Sequence, residues 1–252
     1  MKPSTPKMRL PRGILLFFIT IAFICLSAGE SFSGSARTHP EFEKRFKSAS
    51  VAALIPPDVE VYELSAGGVS ELRDDWCETG RKNVVDAIKK NCGDKRIDVR
   101  EVAIDKELED ELEDLLALYR AVSVSIGLHV YGQFVFPDKV QRFEYSIGPI
   151  DNLLQKFGAD YLMFVFGIDE ISTAGRKALS TAAAVIGAMA GVIMLPQGGL
   201  TVVSIALVDS SGTILWFNIK GGRGGYDLRD CDSAASIVSA LLAELPDGAA
   251  PK

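Results

Sequence analysis

Asp160-Tyr-Leu-Met-Phe-Val-Phe-Gly167 is an uninterrupted apolar run between an acid and a glycine. A strand that is polar on one side alternates; one that is apolar at every position is buried on both faces. Residues 160–167 therefore read as the central strand of a sheet with helices above and below it. Downstream, Thr201 to Val208 and Thr213 to Ile219 read as a hairpin around Asp209-Ser-Ser-Gly212, whose turn residues separate two apolar runs. Asp232 is the expected cap of a last helix that carries Ala234, Val238, Leu241, Leu242 and Leu245 on one face.

Upstream the pattern changes period. Ile150 to Phe157 reads as a short helix stopped by Gly158. Leu108, Leu112, Leu115, Tyr119, Val122 and Ile126 recur at alternating four- and three-residue steps after Asp105, a seam for packing against a sheet or another helix. The acids crowded into its first turns, Glu107 to Asp114, read as a solvated face favoured by the helix dipole, with calcium or a basic partner as the sharper reading. An earlier helix is expected from Ser70 to Cys92, capped by Ser70 and ended by Gly93, with Leu72, Trp76, Val84, Val85 and Ile88 inward. Ile97 to Ile104 alternates like a strand. Val51-Ala-Ala-Leu-Ile55 reads as a buried opening strand stopped by Pro56-Pro57, and Val59 to Leu64 continues extended. Gly132 to Tyr145 has no clear period and is a hairpin or a loop. The expected class is α/β (α+β): a three-layer-like mixed sheet covered by helices, with an apolar insertion.

That insertion is Ala178 to Leu195, between Arg176-Lys177 and Pro196-Gln-Gly-Gly, within a stretch from 178 to 208 that has no charged side chain. Its length meets the lower limit of a membrane span, about 17 residues. Ala183, Gly187 and Gly191 place a small residue at every fourth position, a ridge that lets two helices approach closely, and Met194 extends the apolar face. Three readings stay open: a helix buried in the fold or at an oligomer interface, a membrane-contacting segment, and a loop.

The first 29 residues read as an export signal. Lys2, Lys7, Arg9 and Arg12 precede an apolar run from Ile14 to Leu26, and Ser27-Ala28-Gly29 supplies small residues for cleavage. An uncleaved anchor is the alternative. Lipidation at Cys25 is disfavoured, because bulky Phe23-Ile24 stand where a lipoprotein carries small residues. Residues 30–48 read as a polar tether, 49–246 as one α/β domain, and 247–252 as a tail. Export places the chain in the periplasm or on the periplasmic face of a membrane, where disulfides are allowed. Cys77 and Cys92, on one helix, would stand about 22 Å apart, too far to bridge. Cys92 with Cys231 is the better pair, and three small buried thiols are the alternative.

Composition closes several routes. The chain has 252 residues, 48% hydrophobic and 24% charged, as in a folded protein. A net charge of −6 argues against nucleic acid, which needs a basic footprint. Two histidines and four cysteines leave little for a metal site or a His-based triad. His129, in an apolar setting, reads as a packed or surface residue. No nucleophile elbow, P-loop or Cys-x-x-Cys pair occurs. Catalytic, cofactor and metal residues are therefore expected to be none. Gly221-Gly-Arg-Gly-Gly225 with Arg223 and Arg229 could hold an anion at a helix N-terminus, but Asp227, Asp230 and Asp232 oppose it, and a mobile loop is the blander reading. Asp169, Glu170 and Asp209 near strand ends would be paired carboxylates only if the fold brought them together.

Phe157-Gly-Ala-Asp160 with the strand after it resembles the strand entry of bacterial envelope proteins of the CsgG-like and TolB N-terminal-like group. Leu207-Val-Asp-Ser-Ser-Gly-Thr-Ile-Leu-Trp216 resembles the hairpin that follows there, and Val51 to Pro56 with its helix is similar to the opening. The resemblance implies a non-catalytic envelope protein that assembles complexes or secretion channels, often as a lipoprotein. Two departures are visible: the missing lipobox, and an insertion that is an apolar helix in pattern rather than the alternating strands of a barrel hairpin. The expectation is an exported assembly or accessory protein that self-associates or binds envelope partners. The alternative is a periplasmic ligand binder or enzyme using residues 221–232.

Overall fold

The computed structural model describes residues 32–33, 35–46, 50–104, 106, 108–132, 134–176 and 199–246. The segment 1–31 and the apolar insertion, with Ala183, Gly187, Gly191 and Met194, lie outside the described residues, as does the tail 247–252.

The apolar run at 160–167 forms β7 (Tyr161–Ser172), the longest strand, and it sits inside the sheet. Its side chains alternate between two cores. Tyr161, Met163 and Val165 face one layer, while Leu162 and Phe164 face the other. β8 (Leu200–Val208) and β9 (Ile214–Arg223) continue from it as an antiparallel meander. On the other side of β7 lie two parallel strands in succession. β3 (Val51–Leu54) pairs with Tyr161 to Met163, and β4 (Asp58–Leu64) pairs with Phe166 to Ser172. Pro56-Pro57, which has no N–H to give, marks the break between them. β6 (Asp98–Glu101) adds in parallel to β3.

The first core layer lies under α2 (Asp74–Asp94) and α6 (Cys231–Leu242), which pack Val84, Ile88, Val238 and Leu241 onto the sheet. The second lies under α3 (Glu109–Ile126) and α5 (Asp151–Phe157), with Leu112, Tyr119, Leu153 and Leu154 inward. The fold is thus α/β, with a mixed sheet between helical layers. α3 ends in a π-helical turn, Gly127–Tyr131, and the stretch that lacked a period holds a short helix, α4 (Pro137–Gln141), and not a hairpin. Gly158 ends α5 in the left-handed conformation, φ +58°.

Several local expectations are corrected. Ser70 starts no helix: β5 (Ser70–Leu72) pairs back onto β4, with Leu64 opposite Ser70 and Tyr62 opposite Leu72. Gly67-Gly68 are the turn of that hairpin (Gly68 φ +81°), and Leu72 is exposed. The helix begins four residues later, at Asp74. It also runs through Gly93 and closes where Arg96 turns left-handed and the Ile97 N–H donates to the Cys92 carbonyl. Asp230, not Asp232, caps α6, accepting from the Ser233 N–H at 2.8 Å.

The stretch 30–48 is no free tether where it is described. β1 (Phe32–Ser33) and β2 (Arg37–Thr38) pair with β9, and α1 (Phe42–Arg45) buries Phe42. An edge strand needs a partner for its N–H and C=O groups whatever its side chains are, so a polar segment serves. Cys92 is buried, Cys231 is exposed, and both are free thiols, as is buried Cys77. The pairing of Cys92 with Cys231 is therefore absent, and burial pushes the Cys92 thiol up to about 12.

Candidate functional site

One end of the sheet gathers the features that composition left unexplained. Asp169 of β7 lies opposite Thr201, Thr201 opposite Gly222, and Leu200 opposite Arg223. Phe32 lies opposite Gly221 on the far side of β9, and β1 runs antiparallel to β9, so β1 begins at this same end. The insertion leaves after Arg176 and returns at Gly199 here too. Neighbouring strands are about 4.8 Å apart, so the two exits stand about 10 Å apart across β9.

Beneath this end the Asp169 carboxylate is fully buried. It accepts from the Thr201 hydroxyl and the Leu228 N–H, each at 2.7 Å. Burial raises its pKa to about 6 from an ordinary 3.8, against the pull of those two hydrogen bonds. It pins the turn before α6 to the sheet. Because the folded pKa is raised, the folded state binds the proton more tightly, and stability from this group falls as pH rises from about 4 to about 6. Asp169→Asn keeps an acceptor for Leu228, and Thr201 can donate instead to the Tyr226 carbonyl, 3.2 Å away. The parent is expected to gain on the order of 2–3 kcal/mol over the variant between pH 6 and pH 4, read from urea midpoints. Parallel pH curves for the two proteins would exclude this.

Glu170 follows Asp169 and so points to the opposite face. Burial raises it, while the charges of Arg223 and Arg176 favour its ionised form. Arg176 also donates to the Ser65 carbonyl at 3.4 Å, tying the β4–β5 hairpin to the root of the insertion. On the Asp169 face, Arg229 grips Asp227 with two bonds of 3.0 and 2.8 Å and lies 4.0 Å over the Trp76 ring. Arg73 lies 4.5 Å over the same ring and is paired with Glu63. Trp76 is therefore clamped by guanidinium groups, an arrangement with no sequence signature because its members come from three separate elements.

Arg223 and Arg229 do not converge. Arg223 contributes its charge on the Glu170 face, whereas Arg229 is already paired with Asp227 in the Trp76 clamp. Gly221 and Gly222 belong to β9 rather than to a mobile loop, and Gly221 is needed where the Thr201 carbonyl approaches to 2.6 Å from the position a Cβ would take. Asp209 sits at the opposite end of β8, paired with Arg45 at 2.7 Å, so the three carboxylates are not a set. His129 stacks on Phe136 at 4.3 Å.

Among the described residues no group of three or more His, Cys, Asp or Glu gathers around a metal position. A cavity of about 10 Å³ beneath the Arg120–Asp58 ion pair, lined by Ile55, Tyr119 and Phe164, has room for about one water. No helix among the described residues is long and apolar enough to cross a membrane.

No family model matches the chain, and no curated protein matches it. Among solved structures, the PelC dodecamer from Paraburkholderia phytofirmans is 11% identical and aligns over 83% of this chain and 94% of that one, at a TM-score of 0.38. A point variant of that dodecamer is 12% identical over 87% and 100%, at 0.40. Similarity this low carries no argument about the present chain.

Proposed function

We propose that this chain is a non-catalytic, exported protein of the bacterial envelope that assembles or holds a partner at a membrane surface. In this reading residues 14–26 and 178–195 are its two apolar contacts, and the α/β domain is the body they hold. The observation that carries it is a shared end: Phe32, which follows the first stretch in sequence, and the ends of β7 and β8 that flank the second lie at one end of the sheet. β7 and β8 are antiparallel neighbours, which about two residues would join. The chain instead spends residues 173–199 on the connection, an expense that closing the sheet does not require. The resemblance to the CsgG-like and TolB N-terminal-like group points the same way, toward assembly or accessory work on the periplasmic side.

The experiment replaces residues 177–198 with Asn-Gly and follows the protein through carbonate-washed membranes, with N-terminal sequencing of each fraction. The variant is expected to stay folded, because the strands it joins already pair, and to leave the membrane once residues 1–29 are cleaved. Gly187→Leu and Gly191→Leu should act on the same contact by widening the small-residue ridge, lowering assembly or retention without unfolding the domain. A cleaved Asn-Gly variant that stays in the membrane as the parent does would overturn the reading.

A further inference from the structure

Phe134, Val135 and Phe136 are all exposed, at 59%, 45% and 52%. Three consecutive large apolar side chains in water call for an occupant. They are held out by their own backbone rather than left loose. The Phe136 N–H donates to the His129 carbonyl at 2.9 Å, His129 Nδ1 faces the Phe134 carbonyl at 3.3 Å, and the His129 ring stacks on Phe136. The ridge is thus pre-shaped, with apolar tips outward and polar backbone satisfied inward.

Its place in the fold says what it meets. Tyr131, at the end of the π-helical turn, donates its hydroxyl to the Ser35 carbonyl at 3.0 Å. Ser35 lies three residues from Phe32, where the chain arrives from the apolar N-terminal run. Charge differs between the start of α3 and the ridge. The acids Glu109, Asp110 and Glu111 fill the first turn of α3, about 27 Å away at the rise of an 18-residue helix. Near the ridge Arg37, Lys139 and Arg142 are balanced by Asp138, Glu144 and Glu244. An anionic surface would repel the acidic end and not this one.

We infer that Phe134, Val135 and Phe136 form a lipid-contacting ridge that seats the domain on the membrane surface beside its N-terminal segment. The inference rests on the membrane reading above and adds to it a third contact that turns the domain about its apolar exits. Ridges of this kind enter the headgroup and acyl boundary by about 5–10 Å.

The test uses the full chain, reconstituted in vesicles of phosphatidylethanolamine and phosphatidylglycerol carrying bromine high on the acyl chains. Val135→Trp places a reporter on the ridge. Ile104→Trp places one on exposed chain before the acidic end of α3. Far-ultraviolet circular dichroism and melting curves establish that both fold as the parent does. With the parent's emission subtracted, the Val135→Trp signal is expected to be blue-shifted and to lose about half its intensity to the brominated lipid, while Ile104→Trp keeps its intensity. Equal quenching at the two positions, or none at Val135→Trp in protein that stays carbonate-resistant, overturns the ridge and leaves the membrane reading standing. Blue shift that grows with protein concentration without quenching assigns the ridge to a second copy and overturns it as well. Protein that does not stay with the vesicles overturns both.

Discussion

Trp216→Ala is expected to cost about 3–5 kcal/mol of folding stability, the range for emptying a large aromatic site in a close-packed core. Trp216 heads the fully buried side chains. It owes its position to an irregularity in β9: Leu207 lies opposite Trp216 while Val208 lies opposite Ile214, so Leu215 is an extra residue on that strand. The bulge turns Leu215 and Trp216 to the same core layer, under α2 and α6, while Ile214 and Phe217 serve the other. The loss should appear as a lower urea midpoint with an unchanged slope. Trp216→Phe should cost less than half as much. It keeps most of the volume and removes an indole N–H that finds no acceptor among the described residues, a donor whose burial alone costs about 1–3 kcal/mol. Equal losses for Ala and Phe would mean that this N–H is bonded and contributes to the fold.

Gly212→Val comes next, at about 2–5 kcal/mol, from a left-handed backbone and an overlap that add together. Gly212 closes the β8–β9 turn at φ +76°, and a Cβ there would run into the backbone carbonyl of Gly148. The strap from Ser146 to Ile150 lies across this turn: the Ile147 N–H donates to the Gly212 carbonyl, and the Ile150 N–H donates to the Ser210 carbonyl. Moving it would disturb Ile147 and Ile150, both buried. Gly158→Ala is the matched comparison, since Gly158 is also left-handed at φ +58° but has nothing within 4 Å of a new Cβ. It should lose only about 1–2 kcal/mol. Melting temperatures of the two variants measured side by side decide it; similar drops would mean that Gly148 gives way freely.

What was legible in the sequence follows from where side chains carry the signal. β7, the β8–β9 hairpin and the seam of α3 announce themselves because burial fixes which residue types they can use. β1 and β2 do not, since their pairing with β9 is a matter of backbone groups and says nothing through Arg37 or Thr38. β5 is hidden because Gly67-Gly68 reads as a break before a helix, and only the pairing of Leu64 with Ser70 makes it a hairpin turn. The same division holds at the functional end. The uncharged stretch from 178 to 208 is plain from composition, but that β1 begins at the same place depends on the register of Phe32 against Gly221. Asp169 reads from sequence only as a carboxylate near a strand end. Its role as an anchor for Leu228 depends on a contact across 59 residues that no local pattern encodes.

The pairing of Phe32 with Gly221 also sets an order of events. A chain made from its N-terminus offers residues 32–38 well before their partners, Trp216 to Gly221. At about 5–20 residues per second the wait is about 10–40 s. During that time the segment next to the apolar N-terminus stays extended and open to any machinery that handles unfolded chain. Once β9 arrives, β1 and β2 cover the edge that would otherwise template pairing between molecules. Maturation of the sheet and protection from aggregation therefore happen in one step, with an earlier-made part of the chain laid down along the edge of a later one.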